Sequence, residues 1–159
     1  MVQLWVNLPA KDKGAPAAYQ AITADMIPSV SFDGGTARVV AGAFGGTQGP
    51  ARTFTPINLY AGTEVVLPLT AGHTSMITVL SGQVTTEGEV VGEADIARLS
   101  SDGEGVTVRA EGDAMVLVLS GEPIDEPVAA HGPFVMNSEE EILQTIRDFQ
   151  TGQFGRMAQ

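Results

Sequence analysis

The middle of the chain consists of short apolar stretches separated by glycine-containing turns. Turn sequences such as Ser81-Gly82, Glu87-Gly88 and Asp102-Gly103 recur through this region. Many short strands at such spacing, with no helical segments between them, predict an antiparallel sandwich or barrel and disfavour a parallel α/β sheet. The predicted fold class is therefore all-β. The candidate strands lie at residues 37–41, 57–60, 64–69, 75–80, 83–86, 94–99, 105–110 and 115–120.

The composition is that of one compact domain with more uncharged surface than a lone monomer usually shows. The 159 residues are enough for one barrel with an added tail, and a hydrophobic content of 43% can supply its core. Only 17% of the residues are charged, against about 25% in an average soluble domain. Part of the uncharged surface is therefore expected to contact a partner. Cysteine is absent, which excludes disulfides and cysteine-ligated zinc.

The charge balance limits the classes of partner. Eight basic residues face nineteen acidic ones, for a formal net charge of -11. Such a field repels phosphate backbones, so we expect no direct nucleic-acid binding. No apolar run approaches the roughly 20 residues that a membrane helix needs, and the N-terminus has no signal-peptide pattern. We therefore expect no membrane contact and a cytoplasmic location.

The two ends of the chain differ from its middle. Val2, Leu4, Val6 and Leu8 alternate with other residues, which predicts a half-buried leading strand. Thr23 is expected to cap one helical turn before a proline stop. The sequence thus divides into a leading strand and linker (1–28), a barrel (29–127), and a loop with a C-terminal helix (128–159).

The C-terminal segment carries complete helix signals. Ser138 followed by Glu141 fits a capping box, and Gly152 fits a C-terminal stop. Apolar residues at i, i+4 and i+7 predict a stripe that must pack on the same barrel or on a neighbour. The stripe consists of Ile142, Ile146 and Phe149, with Leu143 beside it.

Several long motifs resemble one known family. Residues 74–84 resemble the strand-turn-strand of a cupin barrel. Residues 4–13 resemble the segment that joins the two halves of a pirin, and the last helix resembles the pirin terminal helix. The motifs that resemble the pirin C-terminal signature are Gly121-Glu122-Pro123 and His131-Gly132-Pro133-Phe134-Val135-Met136-Asn137. The resemblance implies a cupin barrel (a double-stranded β-helix or jelly roll) with a C-terminal α-helix.

The resemblance also implies where the family's chemistry is located. Pirins resemble bicupins whose metal ligands, three His and a Glu, lie in the N-terminal barrel. Members are associated with quercetin 2,3-dioxygenase activity, and animal members with transcriptional co-regulation. No position of this chain matches those ligands, so the chain corresponds to the C-terminal half without the metal-binding half. Iron or another divalent metal is expected only in that other half, and no cofactor is expected here.

The two histidines are poor candidates for a metal site. His73 is followed by Thr74 and Ser75, whereas a metal-binding cupin would carry His-x-His there. One imidazole is poor ligation for a transition metal, so a structural or solvent-facing role is favoured. The alternative role for His73 is ligand hydrogen bonding or acid/base chemistry. His131, in the signature loop, is expected to tie that loop to the barrel by a hydrogen bond.

Two functional hypotheses follow. In the first, the chain is a non-catalytic structural or interaction module that contacts an N-terminal pirin-like cupin half or a second copy of itself. Its interface candidates are Leu4, Trp5, Val6, Ile142, Ile146 and Phe149. In the alternative, the chain is a metal-free, small-molecule-binding cupin enzyme in which His73 is the acid/base catalyst. That alternative requires an Asp or Glu carboxylate within hydrogen-bond reach of His73 inside a cavity.

Overall fold

A computed structural model describes residues 3–32, 35–52, 57–62 and 65–154, with only the backbone described over 57–62. Contacts divide the chain into two compact units. One unit is Ala21–Pro123, and the other combines Met1–Gln20 with Ile124–Gln159. The leading residues therefore group by contacts with the C-terminal segment.

The Ala21–Pro123 unit is built from two four-stranded antiparallel sheets and two hairpins. One sheet has the strand order β10-β7-β12-β5 and the other has the order β6-β11-β8-β9. The hairpins pair β1 with β2 and β3 with β4. The strands are β1 Ser29–Phe32, β2 Gly35–Arg38, β3 Ala43–Phe44, β4 Thr47–Gln48, β5 Ile57–Gly62, β6 Val65–Pro68, β7 Thr74–Ser81, β8 Val84–Thr86, β9 Glu89–Val91, β10 Ile96–Arg98, β11 Gly105–Ala110 and β12 Met115–Gly121.

The core lies between these two sheets. Strands β7 and β12 alternate buried with half-buried residues, as expected for strands with one face turned inward. On the inward face, Ile77 lies opposite Val118 in the antiparallel register. Both are fully buried and belong to one cluster with Val84, Val106 and other aliphatic residues of the second sheet. This shared cluster is what packs the two sheets face to face.

Most of the predicted strands are present, with shifts at their ends. The strand predicted at 105–110 is observed with the same bounds. The strand predicted at 37–41 is displaced, because the ladder ends at Arg38 and the buried Val39 and Ala41 lie beyond it. Strand β9 was not predicted, since two of its three residues are exposed and show no apolar alternation. Glu64, in the strand predicted at 64–69, lies outside the described residues.

The predicted leading strand is wrong for the residues that the structure describes. Residues 3–8 belong to no strand, and a 3₁₀ turn at Ala10–Asp12 follows them. Leu4, Trp5 and Val6 are all exposed, so the alternation does not mark a buried face. The physical reason is that a strand also needs a neighbour for its backbone hydrogen bonds, and none of the described segments pairs with this one.

The turn predicted near Thr23 exists, but its cap differs. Ala24–Met26 forms a 3₁₀ turn in which the Thr23 side chain makes no capping hydrogen bond. Instead, a hydrogen bond with the Thr23 side chain lowers the pKa of the exposed Asp25 carboxyl, because it stabilises the charged form.

The other unit contains a hairpin and the helix. Strands β13 (Ala129–His131) and β14 (Phe134–Met136) pair where the sequence suggested an irregular loop. The helix α1, Glu139–Gln150, begins with the predicted capping box between Ser138 and Glu141. It ends at Gln150, and the φ of 73° at Gly152 permits a 2.7 Å hydrogen bond from the Gln153 N–H to the Asp148 carbonyl and a 3.2 Å bond from the Gly152 N–H to the Phe149 carbonyl. These bonds form a Schellman motif, as predicted from the glycine.

One carboxylate connects the two ends of this unit. Glu126 Oε2 accepts a 2.7 Å hydrogen bond from the Ala10 N–H and a 3.0 Å bond from the Asn137 side-chain amide. Residues 10 and 126 are 116 positions apart in sequence. The unit is therefore assembled from the two ends of the chain. Across the described part of the chain, no helix combines the length and the apolarity that crossing a bilayer demands.

Candidate functional site

A cavity of about 380 Å³ opens within the Ala21–Pro123 unit. Its wall carries apolar side chains from β9, β10 and β11 and from the segments that follow β6 and β10. These are Leu69, Val91, Ala97, Leu99 and Val106. The volume is within the range of small-molecule sites. A mostly apolar wall with a few converging polar groups is the usual composition of such a site.

A three-residue hydrogen-bonded network lies at the cavity. The Ser75 hydroxyl donates a 2.9 Å hydrogen bond to the Ser120 hydroxyl, and Ser120 Oγ lies 3.4 Å from His73 Nδ1. Both serines are 2% exposed, on the inward rows of β7 and β12, while His73 is half-buried. His73 and Ser75 line the cavity. We call this set the His73–Ser75–Ser120 network.

The backbone before β7 fixes the position of His73. The His73 N–H donates a 3.1 Å hydrogen bond to the Thr70 carbonyl, which closes a tight turn. Gly72 is the third residue of that turn, and its φ of 85° suits glycine far better than any other residue. The Gly72 N–H also donates to the Ser101 carbonyl at 2.8 Å. The turn that carries His73 is thereby tied to the loop at Ser101, which also lines the cavity.

Thr86 supplies a second polar group inside the cavity. Its side chain is 4% exposed, and its Oγ1 has no hydrogen-bond partner among the described residues. The next two residues, Glu87 and Gly88, form the two-residue loop between β8 and β9 with φ values of 49° and 83°. Positive φ at both positions defines a type I′ turn, in which a glutamate is unusual. Thr86 and Glu87 both line the cavity.

The chemistry that His73 can perform is limited by its neighbours. In the part of the chain that the structure describes, its ring is hydrogen-bonded to the Ser120 hydroxyl and not to a carboxylate. One imidazole with two serine hydroxyls does not fit a transition-metal site, which uses several nitrogen, sulfur or carboxylate ligands. Among these same residues, no three His, Cys, Asp or Glu side chains come together to hold a metal ion.

A second candidate surface lies on the unit formed by the two chain ends. A groove of about 440 Å³ is lined by Trp5, Leu8, Phe134 and Phe154, among others. The Lys13 ammonium bonds to Asn7 Oδ1 at 2.9 Å and to the Val135 carbonyl at 3.2 Å, which fixes the leading segment on the β13–β14 hairpin. We call this surface the Trp5 groove.

The residues suggested as interface candidates have different surroundings. Trp5 is 82% exposed, and Leu4 and Val6 are nearly half exposed. Ile142 is buried and Ile146 half-buried, so the helix uses this part of its stripe within its own unit. Phe149 is exposed, although its ring packs edge-on against Phe134 and Phe154, with centroids 5.7 and 6.0 Å away.

Two features of this unit were not anticipated. Thr145 is as buried as Ile142 on α1, which an apolar pattern alone does not reveal. His131 is the last residue of β13, and it is exposed next to the Gly132-Pro133 turn. The expected role of His131, a hydrogen bond that ties a loop to the barrel, remains a prediction.

Two packed antiparallel sheets around a small cavity make up the architecture that a cupin domain shares with other β-sandwiches. A family model described as the pirin C-terminal cupin domain matches residues 54–155. The chain belongs to the pirin family. The resemblance noted in the sequence is thereby confirmed, and so is the predicted cupin fold.

Relatives and a solved structure agree with this assignment. The chain is 46% identical over 163 residues to a Pseudomonas aeruginosa protein named "Putative quercetin 2,3-dioxygenase", covering 98% of this chain and 57% of that protein. It is 35% identical to the Homo sapiens pirin, covering 97% of this chain and 57% of that protein. A crystal structure of quercetin 2,3-dioxygenase from Acinetobacter baumannii matches with a TM-score of 0.87 and 40% identity, over 95% of this chain and 55% of that chain.

The chain spans a little over half the length of these relatives. It is therefore a pirin-type cupin related to quercetin 2,3-dioxygenases and pirin. The activity of the longer proteins does not transfer to this domain by similarity alone.

Proposed function

We propose that this chain works as an interaction module that packs against a second cupin barrel, of the kind found in the N-terminal half of a pirin. The observation that carries the proposal is the exposure of Trp5, at 82%, on the edge of the Trp5 groove. A large aromatic ring in water is unfavourable, and burying it would gain about 2–3 kcal/mol. Tryptophan is also the residue type most enriched at the centres of protein interfaces.

The surroundings of Trp5 support an apolar partner. Leu4 and Val6 flank it and are exposed, and the aromatic rings of Phe149 and Phe154 add apolar surface to the same unit. Among the described residues that line the groove, Lys13 is the one cation, and its ammonium is already bonded to Asn7 and Val135. The partner surface is thus expected to be apolar rather than acidic.

Catalysis in this proposal belongs to the partner barrel. Several relatives are named as quercetin 2,3-dioxygenases, and the part of their length beyond this chain provides room for a second barrel. We assign the metal chemistry to that second barrel, because the donor set around His73 does not fit a metal. On this view the domain supports a dioxygenase or co-regulator without contributing metal ligands to it. The proposed location is the cytoplasm.

Binding to a defined barrel tests the proposal. The partner is the portion of the Pseudomonas aeruginosa relative that lies outside the matched region, and titration calorimetry measures its binding to this chain. The part of the same relative that matches this chain should bind that portion as well, and it serves as the positive control. The variant Trp5→Ser should weaken binding by tenfold or more, since an interface tryptophan is typically worth about 2 kcal/mol or more.

A second exposed aromatic residue provides the matched control. Tyr19 is 77% exposed in the same unit but does not line the groove, so Tyr19→Ser should leave binding unchanged. Equal losses for both variants, or no binding when the positive control binds, would contradict the proposal. Sedimentation of this chain alone tests whether a second copy occupies the groove instead. A second copy would produce a concentration-dependent dimer that Trp5→Ser abolishes.

A further inference from the structure

The cavity interior contains two hydrogen-bonding groups that the described protein residues leave available. One is Thr86 Oγ1, which is buried and unpaired. Nearly all buried polar side-chain atoms in folded proteins have a partner, so an unpaired one in a cavity points to a bound molecule. The other is the Nε2 edge of His73, because the Nδ1 edge faces Ser120.

The hydrogen-bonded network sets what His73 offers to the cavity. Ser75 donates its hydroxyl proton to Ser120 Oγ, so the Ser120 proton is free to be donated to His73 Nδ1. A neutral imidazole that accepts at Nδ1 carries its proton on Nε2. In that tautomer His73 donates from Nε2, the ring nitrogen that does not face Ser120. Thr86, whose hydroxyl can donate or accept, is the second contact point.

The distribution of charge around the cavity selects a neutral ligand. The deeply buried residues that line it are Ser75, Thr86, Val91 and Val106, and none of them carries a charge. The charged residues in the lining are exposed, and they comprise three acids and one base: Glu87, Glu89, Asp102 and Arg98. An anion would lose its hydration in an uncharged interior behind an acidic rim, a cost that neutral donors do not offset.

We propose that the cavity binds a neutral organic molecule of about one ring in size, with an acceptor oxygen directed at His73 Nε2 and Thr86. The apolar wall takes the body of the ligand, and the volume of about 380 Å³ accommodates a molecule of that size. The role of His73 is binding, because among the described residues its ring has a hydroxyl partner and not a carboxylate. This proposal does not depend on the Trp5 groove.

Three probes of the same shape test the ligand class. They are benzamide, which is neutral with an acceptor oxygen, benzoate, which is its charged counterpart, and toluene, which lacks the oxygen. Nitrogen-15 NMR follows the His73 ring signals during each titration. We expect benzamide to bind with a roughly millimolar dissociation constant, as is usual for a small fragment, and to shift the Nε2 signal. Benzoate and toluene should each bind about tenfold more weakly.

Two isosteric variants test the contact. Thr86→Val removes the hydroxyl while keeping the shape, and it should weaken benzamide binding by about three- to tenfold, the usual effect of one neutral hydrogen bond. Thr78→Val is the matched control, because Thr78 is half-buried on the outward face of the neighbouring sheet and does not line the cavity. The control should bind benzamide as the parent chain does.

Three outcomes would overturn the inference. If benzoate binds as tightly as benzamide, the cavity does not select a neutral ligand. If benzamide binds equally to the parent chain and to Thr86→Val, the ligand does not contact the Thr86 hydroxyl. A cavity that contains only ordered water would show no change at the His73 ring with any probe. None of these results bears on the binding of a second barrel, so the two proposals fail separately.

Discussion

Ser75 and Ser120 lie directly opposite each other on β7 and β12, and the Ser75 hydroxyl donates a 2.9 Å hydrogen bond to that of Ser120. The next two inward-facing pairs along the same ladder are aliphatic. They are Ile77 with Val118 and Val79 with Val116. The inward face therefore changes from apolar to polar at one cross-strand pair. Because the two hydroxyls satisfy each other, this change does not leave an unpaired group in the core.

The first prediction concerns this serine pair. Ser120→Ala should lower the free energy of unfolding by about 1–3 kcal/mol, because it leaves the buried Ser75 hydroxyl without its acceptor. Urea denaturation monitored by circular dichroism measures the change. Ser81→Ala, at the exposed end of β7, should alter stability by less than about 0.5 kcal/mol.

A double variant measures how strongly the two hydroxyls depend on each other. Removing both hydroxyls, with Ser75→Ala and Ser120→Ala together, should cost less than the sum of the two single changes, since neither partner is then left unsatisfied. Strict additivity of the single effects would show that the two hydroxyls are not coupled.

The second prediction is that Thr86→Val stabilises the fold. The hydroxyl is buried without a described partner, so replacing it with a methyl group of similar size should raise the free energy of unfolding by about 1 kcal/mol. The gain should appear in denaturation without any ligand. Thr78→Val, half-buried on the outward face of β7, should give a smaller change. A clear loss of stability in Thr86→Val would mean that the hydroxyl has a strong partner in solution.

The third prediction concerns the turn between β8 and β9. Glu87 has a φ of 49° in a type I′ turn, a conformation that asparagine tolerates and β-branched residues do not. Glu87→Asn should raise the thermal midpoint, with a gain of about 0.5–1 kcal/mol, whereas Glu87→Val should lower it. Glu89→Asn provides the comparison, because residue 89 is in β9 beyond the turn. If the asparagine and valine variants shift stability in the same direction, the left-handed backbone is not the cause.

The fourth prediction concerns the start of α1. The Ser138 hydroxyl accepts a 3.2 Å hydrogen bond from the Glu141 N–H, while the Glu141 carboxylate accepts from the Ser138 N–H at 3.0 Å. Ser138→Ala should cost about 1 kcal/mol, and Ser138→Asp should retain most of the stability, because aspartate is an equally good N-cap. Amide hydrogen exchange over the first turn of the helix measures the effect. Equal protection in both variants would contradict the cap.

The features that the sequence predicted well depend on local interactions. The capping box and the glycine at the helix end each involve residues only a few positions apart, and both are present. Most of the barrel strands were predicted because short apolar runs alternate with glycine-containing turns, whereas β9 has no such run and was missed. The leading segment shows why alternation is insufficient, since it has the pattern but no described neighbour with which to pair.

The site could not be predicted because it depends on pairing across the chain. Ser75 and Ser120 are 45 positions apart, and neither predicted strand indicates that the two serines lie opposite each other. The unpaired Thr86 hydroxyl likewise becomes evident only in the folded structure, where it is buried. In both cases the register between strands decides which polar groups meet. A single sequence does not state which residues of neighbouring strands lie opposite each other.

The carboxylate of Glu126, which holds both the Ala10 backbone and the Asn137 amide, has a consequence for synthesis of the protein. Translation proceeds from the N-terminus, so residues near Ala10 leave the ribosome long before the segment that contains Glu126. The leading segment must therefore wait, unpaired, while the barrel strands are made and fold. Trp5 and its apolar neighbours lie in that segment, so they stay without their C-terminal contacts until the residues from Glu126 onward have been made.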